Sequence, residues 1–259
     1  MAAMTGNGWL LHLMRPAIVV SVLGVVILGQ TNHNKWGLPK RLKRSTFAAE
    51  KGTMFPMQTL KTDIRKRILN VSKRLFLKKG FRETTTREIA REAGINLSNL
   101  YHYFASKDEL FCQLLKPATD TLEAMLNEHH GIKGEDILSM QEEGYVEATL
   151  EEYMGAIKKY KSLLKLLLFK SQGSSLEGYK EYYVEKSTRL VLDWLKAMKE
   201  KHPEINTEVS DFFIHLNNVW MFTLLEEVLM HNLSEEEVRS VLSDYVRFEV
   251  IGWRKMIQI

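Results

Sequence analysis

The residues with the most chemistry to offer lie close together, in Leu97-Ser98-Asn99-Leu100-Tyr101-His102-Tyr103. As a short helix ending at Phe104, this stretch turns Leu100 and Phe104 inward. It leaves Leu97, Ser98, Asn99, Tyr101, His102 and Tyr103 on the outside. Short amide, hydroxyl and ring groups of this kind can reach base edges and backbone phosphates in a major groove. An ordinary solvated helix face would carry long Glu and Lys side chains instead. The other reactive residue types point to no catalysis. Cys112 is the single cysteine and lies in an apolar stretch, so a buried thiol is expected there and no disulfide framework is possible. His102 has no carboxylate or cysteine near it in sequence, and His215 stands alone on an apolar helix. His129-His130, before Gly131, is expected in a loop without a third ligand. The chain has no phosphate-cradling glycine loop, His-Glu-x-x-His or Gly-x-Ser-x-Gly, so neither an enzyme nor a metal or cofactor site is expected.

The elements that would hold this outward face can be read from caps and periodicity. A first helix is expected to start at a Thr62 cap, run through Ile64, Ile68, Val71 and Leu75 on one face, and stop at Gly80. Its other face carries Arg65, Lys66, Lys73, Arg74 and Lys78. Thr85-Thr86-Arg87-Glu88 is a capping box opening a second helix, with Ile89, Ala90 and Ala93 inside. Gly94 breaks that helix and Asn96 caps the third. Ser106-Lys107-Asp108-Glu109 opens a fourth. Two short helices joined by a tight glycine turn form a helix-turn-helix.

Charge divides the chain in three. Residues 1–56 carry seven Lys/Arg against one Glu, residues 57–112 twelve against six, and residues 113–259 seventeen against twenty-five. A basic block beside an acidic one suits a chain of which one part approaches a polyanion. Within 1–56, Ala17–Leu28 is an almost continuous apolar run. Three readings fit it: an extension outside the native protein, with the start at Met54 or Met57; a membrane anchor; or a disordered tail.

Beyond Pro117 the pattern is of long helices: Tyr145–Phe169, Leu176–Lys201, Thr207–His231 and Ser234–Ile257, with Gly173-Ser174-Ser175 as a loop. The last two are apolar over more than one stripe, through residues such as Phe212, Leu216, Trp220, Val241, Phe248 and Trp253. That breadth implies a second buried side. Tyr153, Met154, Phe169, Tyr183, Trp194, Trp220 and Met221 are candidates to line a ligand cavity, with ordinary core packing as the alternative for each. The expected fold is all-α: an N-terminal three-helix helix-turn-helix unit at 57–112, and a C-terminal antiparallel helical bundle at 113–259 for effector binding and dimerisation.

Gly80-Phe81, Thr84-Thr85-Thr86-Arg87-Glu88-Ile89-Ala90, Ala93-Gly94-Ile95 and Leu100 to Leu110 together resemble, without gaps, the DNA-binding domain of the tetracycline-repressor (TetR) family. The resemblance covers about 50 residues and implies specific roles. Thr85 and Thr86 would meet phosphate, helped by free backbone N–H groups. Arg87 would contact a base edge or the backbone. Leu97, Ser98 and Asn99 would read bases, while Tyr101, His102, Tyr103 and Lys107 would position phosphates, with packing an even alternative for Tyr103. It further implies a cytoplasmic, homodimeric repressor of transcription, joined through its last two helices (about 207–257). Such a dimer would bind a palindromic double-stranded DNA operator and respond to an unknown small-molecule effector. The competing reading is a DNA-bound adaptor whose C-terminal domain recruits a protein partner.

Overall fold

A computed structural model describes residues 56–130 and 134–259. The reading of 1–56 as an extension therefore lies, apart from Pro56, outside the described residues. Among those residues the chain is helical throughout. The helices are α1 (Pro56–Glu83), α2 (Thr86–Glu92), α3 (Leu97–Tyr103), α4 (Lys107–His130), α5 (Tyr145–Phe169), α6 (Tyr179–Lys201), α7 (Asp211–Met230) and α8 (Glu235–Ile257). A 3-10 turn at Ile137–Gln141 precedes α5. No described helix is long and apolar enough to cross a membrane.

The N-terminal helices fold as their caps dictate. Gly80 breaks the helical path of α1 at φ 82°, a left-handed value that favours glycine. The Thr85 hydroxyl accepts from the Glu88 backbone N–H, and the Asn96 side chain accepts from that of Asn99. Gly94 turns the corner between α2 and α3 at φ 64°. Ile68, Phe76, Ile89, Leu100, Phe104, Leu110 and Phe111 are all but inaccessible and form the core beneath these helices. The rings of Phe76 and Phe81 each lie 5.0 Å from that of Phe111, so the two ends of this unit share an aromatic cluster.

The C-terminal helices pair as a layered bundle, with α5 packed on α4 and α8, and α6 on α7. Ser234 and Glu237 complete the capping box that starts α8. Helix α4 belongs to both halves. Its first turn is capped by Ser106, and its last turn carries His129 and His130. Pro117 sits inside it. The boundary expected at 112/113 thus falls within a continuous helix.

Several expectations need correction. Helix α1 begins before Thr62, which lies within the helix and not at its N-terminus. Helix α6 starts at Tyr179 because Ser174 to Gly178 form successive turns. His129-His130 is not in a loop. Both rings are buried in the last turn of α4, continuing the face of Leu122, Met125 and Leu126 by helical spacing. His215, which a lone place on an apolar helix would suggest as a core histidine, is instead half-buried and stacks on the exposed Phe212 ring at 6.0 Å.

Candidate nucleic-acid interface and ligand cavity

The outward face of α3 is built from below. Leu100 and Phe104 are 1% and 2% exposed and pin the helix to the core. Ser98, Tyr101 and His102 are then exposed, with Leu97, Asn99 and Tyr103 half-buried. Leu97 and Tyr103 also pack against the core, so both combine an apolar contact with partial access. Tyr101 reaches across to α2, its hydroxyl 3.3 Å from that of Thr86. Thr85 and Arg87 are exposed on the same short helix start. The structure thus brings nine of the ten sequence-predicted contact residues onto the surface of α2 and α3.

Lys107 is the exception. Its ammonium turns inward and donates to the carbonyls of Phe81 (2.8 Å) and Thr84 (2.9 Å), and it lies 4.2 Å from the centre of the Phe81 ring. Burial lowers its pKa, with Glu83 opposing the shift. In this geometry Lys107 ties the α1–α2 corner to α4, its ammonium turned to backbone carbonyls. Arg65 does similar work. It donates to the Tyr103 carbonyl at 3.2 Å and to Gln113, and stacks over Phe104 at 4.5 Å. Arg65 therefore fixes α3 against both long helices. On the other flank, ion pairs Lys79–Glu88 and Arg74–Glu92 tie α2 to α1. The Lys79 bond is the main reason that the Glu88 carboxyl is held below its usual pKa.

The loop after α5 clasps this unit. The Phe81 N–H donates to the Lys170 carbonyl at 2.9 Å, the Ser175 N–H to the Asp108 carboxylate at 2.7 Å, and Cys112 Sγ lies 3.2 Å from Ser175 Oγ. Burial raises the Cys112 thiol pKa, in keeping with the inert cysteine expected.

A cavity of about 100 Å³ opens between α4, α5, α6, α7 and α8. Of the seven residues expected to line it, Tyr153, Tyr183 and Met221 do. Four do not. Met154 packs in a cluster with Leu150, Val228, Val238 and Leu242. Phe169 lies at the end of α5 against the main core. Trp194 is buried with Ile214 and Trp253, and Trp220 packs on Tyr245 and Phe248. Each is apolar and on a suitable helix, but its rotation about the helix axis turns it to a different neighbour. The cavity's distinctive side chains, His129, His130, Ser187 and Asn218, were missed. The helical spacing from Leu122 through Leu126 to His129 and His130 carried the signal for the histidines.

The two histidines have opposite surroundings. Burial alone would lower the His129 pKa, but hydrogen bonds to Glu135 and Glu152 outweigh it and raise the value to about 9. His130 is buried without such partners. Desolvation holds it well below its ordinary value, and its Nδ1 has no hydrogen-bond partner.

A three-helix unit presenting a short polar helix is joined through a shared long helix to a cavity-bearing bundle, the arrangement of a helix-turn-helix unit followed by a helical domain. Residues 68–114 match the family described as bacterial regulatory proteins, tetR family. The chain is 28% identical over 137 residues to the uncharacterized HTH-type transcriptional regulator YvkB of Bacillus subtilis, a stretch covering 52% of this chain and 68% of that protein. Over 55 residues it is 44% identical to the HTH-type transcriptional repressor KstR2 of Mycobacterium tuberculosis, which covers 21% of this chain and only 28% of the repressor. The fold is that of SCO3833, a TetR-family member from Streptomyces coelicolor A3, at a TM-score of 0.50 and 19% identity over 71% of this chain and 90% of that one.

Proposed function

We propose that the chain is a homodimeric, ligand-responsive repressor that binds a palindromic operator. The observation that carries this reading is the shared helix α4, which runs from the first-turn residues beside the reading unit to the histidines of the cavity. Leu97, Ser98 and Asn99 read base edges from the leading turn of α3. Thr85, Thr86, Arg87, Tyr101, His102 and Tyr103 hold phosphates and set the register. Lys107 positions the corner that carries Thr85 and Thr86.

A second copy is supported by the face left open on α7 and α8. Phe212, Leu216, Val241, Phe248 and Ile251 are exposed there, with Phe212 and Ile251 66% and 67% accessible. Apolar surface of this kind marks an association site, and two-fold pairing through it sets two α3 helices about one duplex turn, ~34 Å, apart. The effector releases DNA if it binds the conformation with the wrong spacing more tightly. The adaptor alternative would draw on the same apolar face, which dimerisation already occupies, and it leaves the cavity without a use.

The test is selection of duplexes from a random pool, followed by salt titration of the selected site. A near-palindrome bound with a steep inverse salt dependence is expected. Ile251→Arg should give a monomer in sedimentation and abolish operator binding. Retention of tight binding by a monomer would overturn the dimer reading.

A further inference from the structure

The cavity wall is apolar almost throughout, with Leu126, Ile157, Leu164 and Phe222 representative of it. Among the described residues, no Lys, Arg, Asp or Glu lines it. A bound anion would therefore have no guanidinium or ammonium to pair with, and a bound cation no carboxylate. Burying an unpaired charge in such a place is strongly unfavourable. His129 is the one wall residue with a cationic tendency, and its ring nitrogens are already bonded to Glu135 and Glu152. Two polar atoms on this wall are buried without a partner. His130 is 6% exposed and its Nδ1 has no partner, and the Tyr153 hydroxyl is buried without one. Both residues line this cavity. By contrast, the Tyr183 hydroxyl is satisfied by the Leu122 carbonyl at 2.9 Å, so it is not calling for a ligand.

We propose that the effector is an uncharged, mainly apolar alcohol or phenol whose single hydroxyl bonds to His130 Nδ1 and to the Tyr153 hydroxyl. A hydroxyl both donates and accepts, which matches an imidazole nitrogen that needs a donor and a phenol that can donate. The assignment rests on the reading of this cavity as the effector site. Desolvation keeps the His130 ring neutral against the opposing pull of a backbone hydrogen bond with His129, and a neutral ring retains one nitrogen that can accept.

The experiment measures binding to the full chain without DNA, by calorimetry, for four probes of one skeleton: para-propylphenol, propylbenzene, para-propylbenzoate and (para-propylphenyl)trimethylammonium. The phenol is expected to bind about tenfold more tightly than propylbenzene, the value of one hydrogen bond with a buried partner. Neither ion should bind measurably. In Tyr153→Phe and, separately, His130→Leu, the preference for phenol over propylbenzene should shrink or vanish while propylbenzene binding persists. If one variant does not fold, the other gives the same readout. Equal binding of phenol and propylbenzene, preference for either ion, or no binding by any probe overturns the proposal. A second arm adds operator DNA. The expected ranking without operator release would leave the chemical class standing and sink the ligand-responsive reading, so the two failures are distinct.

Discussion

The reading unit and the cavity half are both helical and both well packed, but they treat buried polar atoms differently. Around α1, α2 and α3 nearly every polar group that leaves water finds a partner: Lys107 on two carbonyls, Arg65 on a third, Thr84 on the Gly80 carbonyl at 2.7 Å. Ser72 is the exception there. In the C-terminal half, His130 Nδ1 and the hydroxyls of Tyr153 and Tyr179 are buried without partners, as is the indole N–H of Trp194. An unmet buried donor or acceptor costs about 1–3 kcal/mol. A rigid reader gains from complete satisfaction, since its side chains must hold one geometry on DNA. Of the four, His130 and Tyr153 line the cavity, where a ligand's own groups would complete them, whereas Tyr179 and Trp194 lie outside it.

The strongest test of this contrast compares two truncations. Phe76→Ala, in the aromatic cluster, should destabilise by about 3–5 kcal/mol in urea titration, because Phe76 is fully enclosed between Phe81 and Phe111. Leu126→Ala, on the cavity wall, should fall at the low end, about 2 kcal/mol, since part of that side chain already faces empty space. Equal losses would break the comparison.

Next is pH. The His129 pKa is raised in the folded chain to about 9, from an ordinary 6.5. Its stabilising effect is therefore complete below about 6.5 and lost as pH climbs through about 9. His130 runs the other way. Its folded pKa is depressed, so its contribution is present above the ordinary value and lost as pH falls toward the folded one. Urea midpoints across pH should trace a dome, with Glu152→Gln flattening the alkaline limb and His130→Asn the acid limb. A dome unchanged in both variants would show that these histidines do not carry the pH response.

Smaller effects separate reading from support within the N-terminal unit. Asn99→Ala should weaken operator binding by about 1–3 kcal/mol and relax preference at one base position, with an unchanged urea midpoint. Lys107→Ala should do the reverse, lowering stability by about 1–3 kcal/mol as two carbonyls lose their donor, with the salt slope of DNA binding preserved. A slope reduced by about one would mean that Lys107 meets a phosphate after all. The smallest effect is expected at Lys158–Glu235, whose side chains are 67% and 62% exposed. Breaking that pair should leave the urea midpoint where it was.

What the sequence revealed follows the same division. Caps and glycine corners are local codes, so Thr85, Gly94, Asn96 and Ser234 placed their helices correctly, and Leu100 and Phe104 were recognisable as core. Residues 145–169 were bounded correctly by the spacing of their apolar residues. Partners distant in sequence left no such code. Nothing near Lys107 announces the Phe81 carbonyl, and nothing near Arg65 announces Tyr103 and Gln113. The cavity was hardest to see, because Met154, Trp194 and Trp220 have the same composition as a lining residue. Only their rotation toward α8 or α7 tells them apart. His129 and His130 were misjudged because Gly131 suggested a loop, although the apolar spacing before it had one more turn to run.

Pro117 has a mechanical consequence. Lacking an N–H, it leaves the Gln113 carbonyl without its helical donor, so one rung of α4 is missing a third of the way along. The segment below that rung is anchored by Ser106, Glu109 and the Asp108–Ser175 bond. The thirteen residues above it extend about 20 Å to His130. A deflection of about 10° at the missing rung swings that far end by roughly 3.5 Å, while a straight helix of this length would resist bending. The rod between reader and cavity thus has a preset point of compliance, and closing that rung with Pro117→Ala would stiffen it without touching either end.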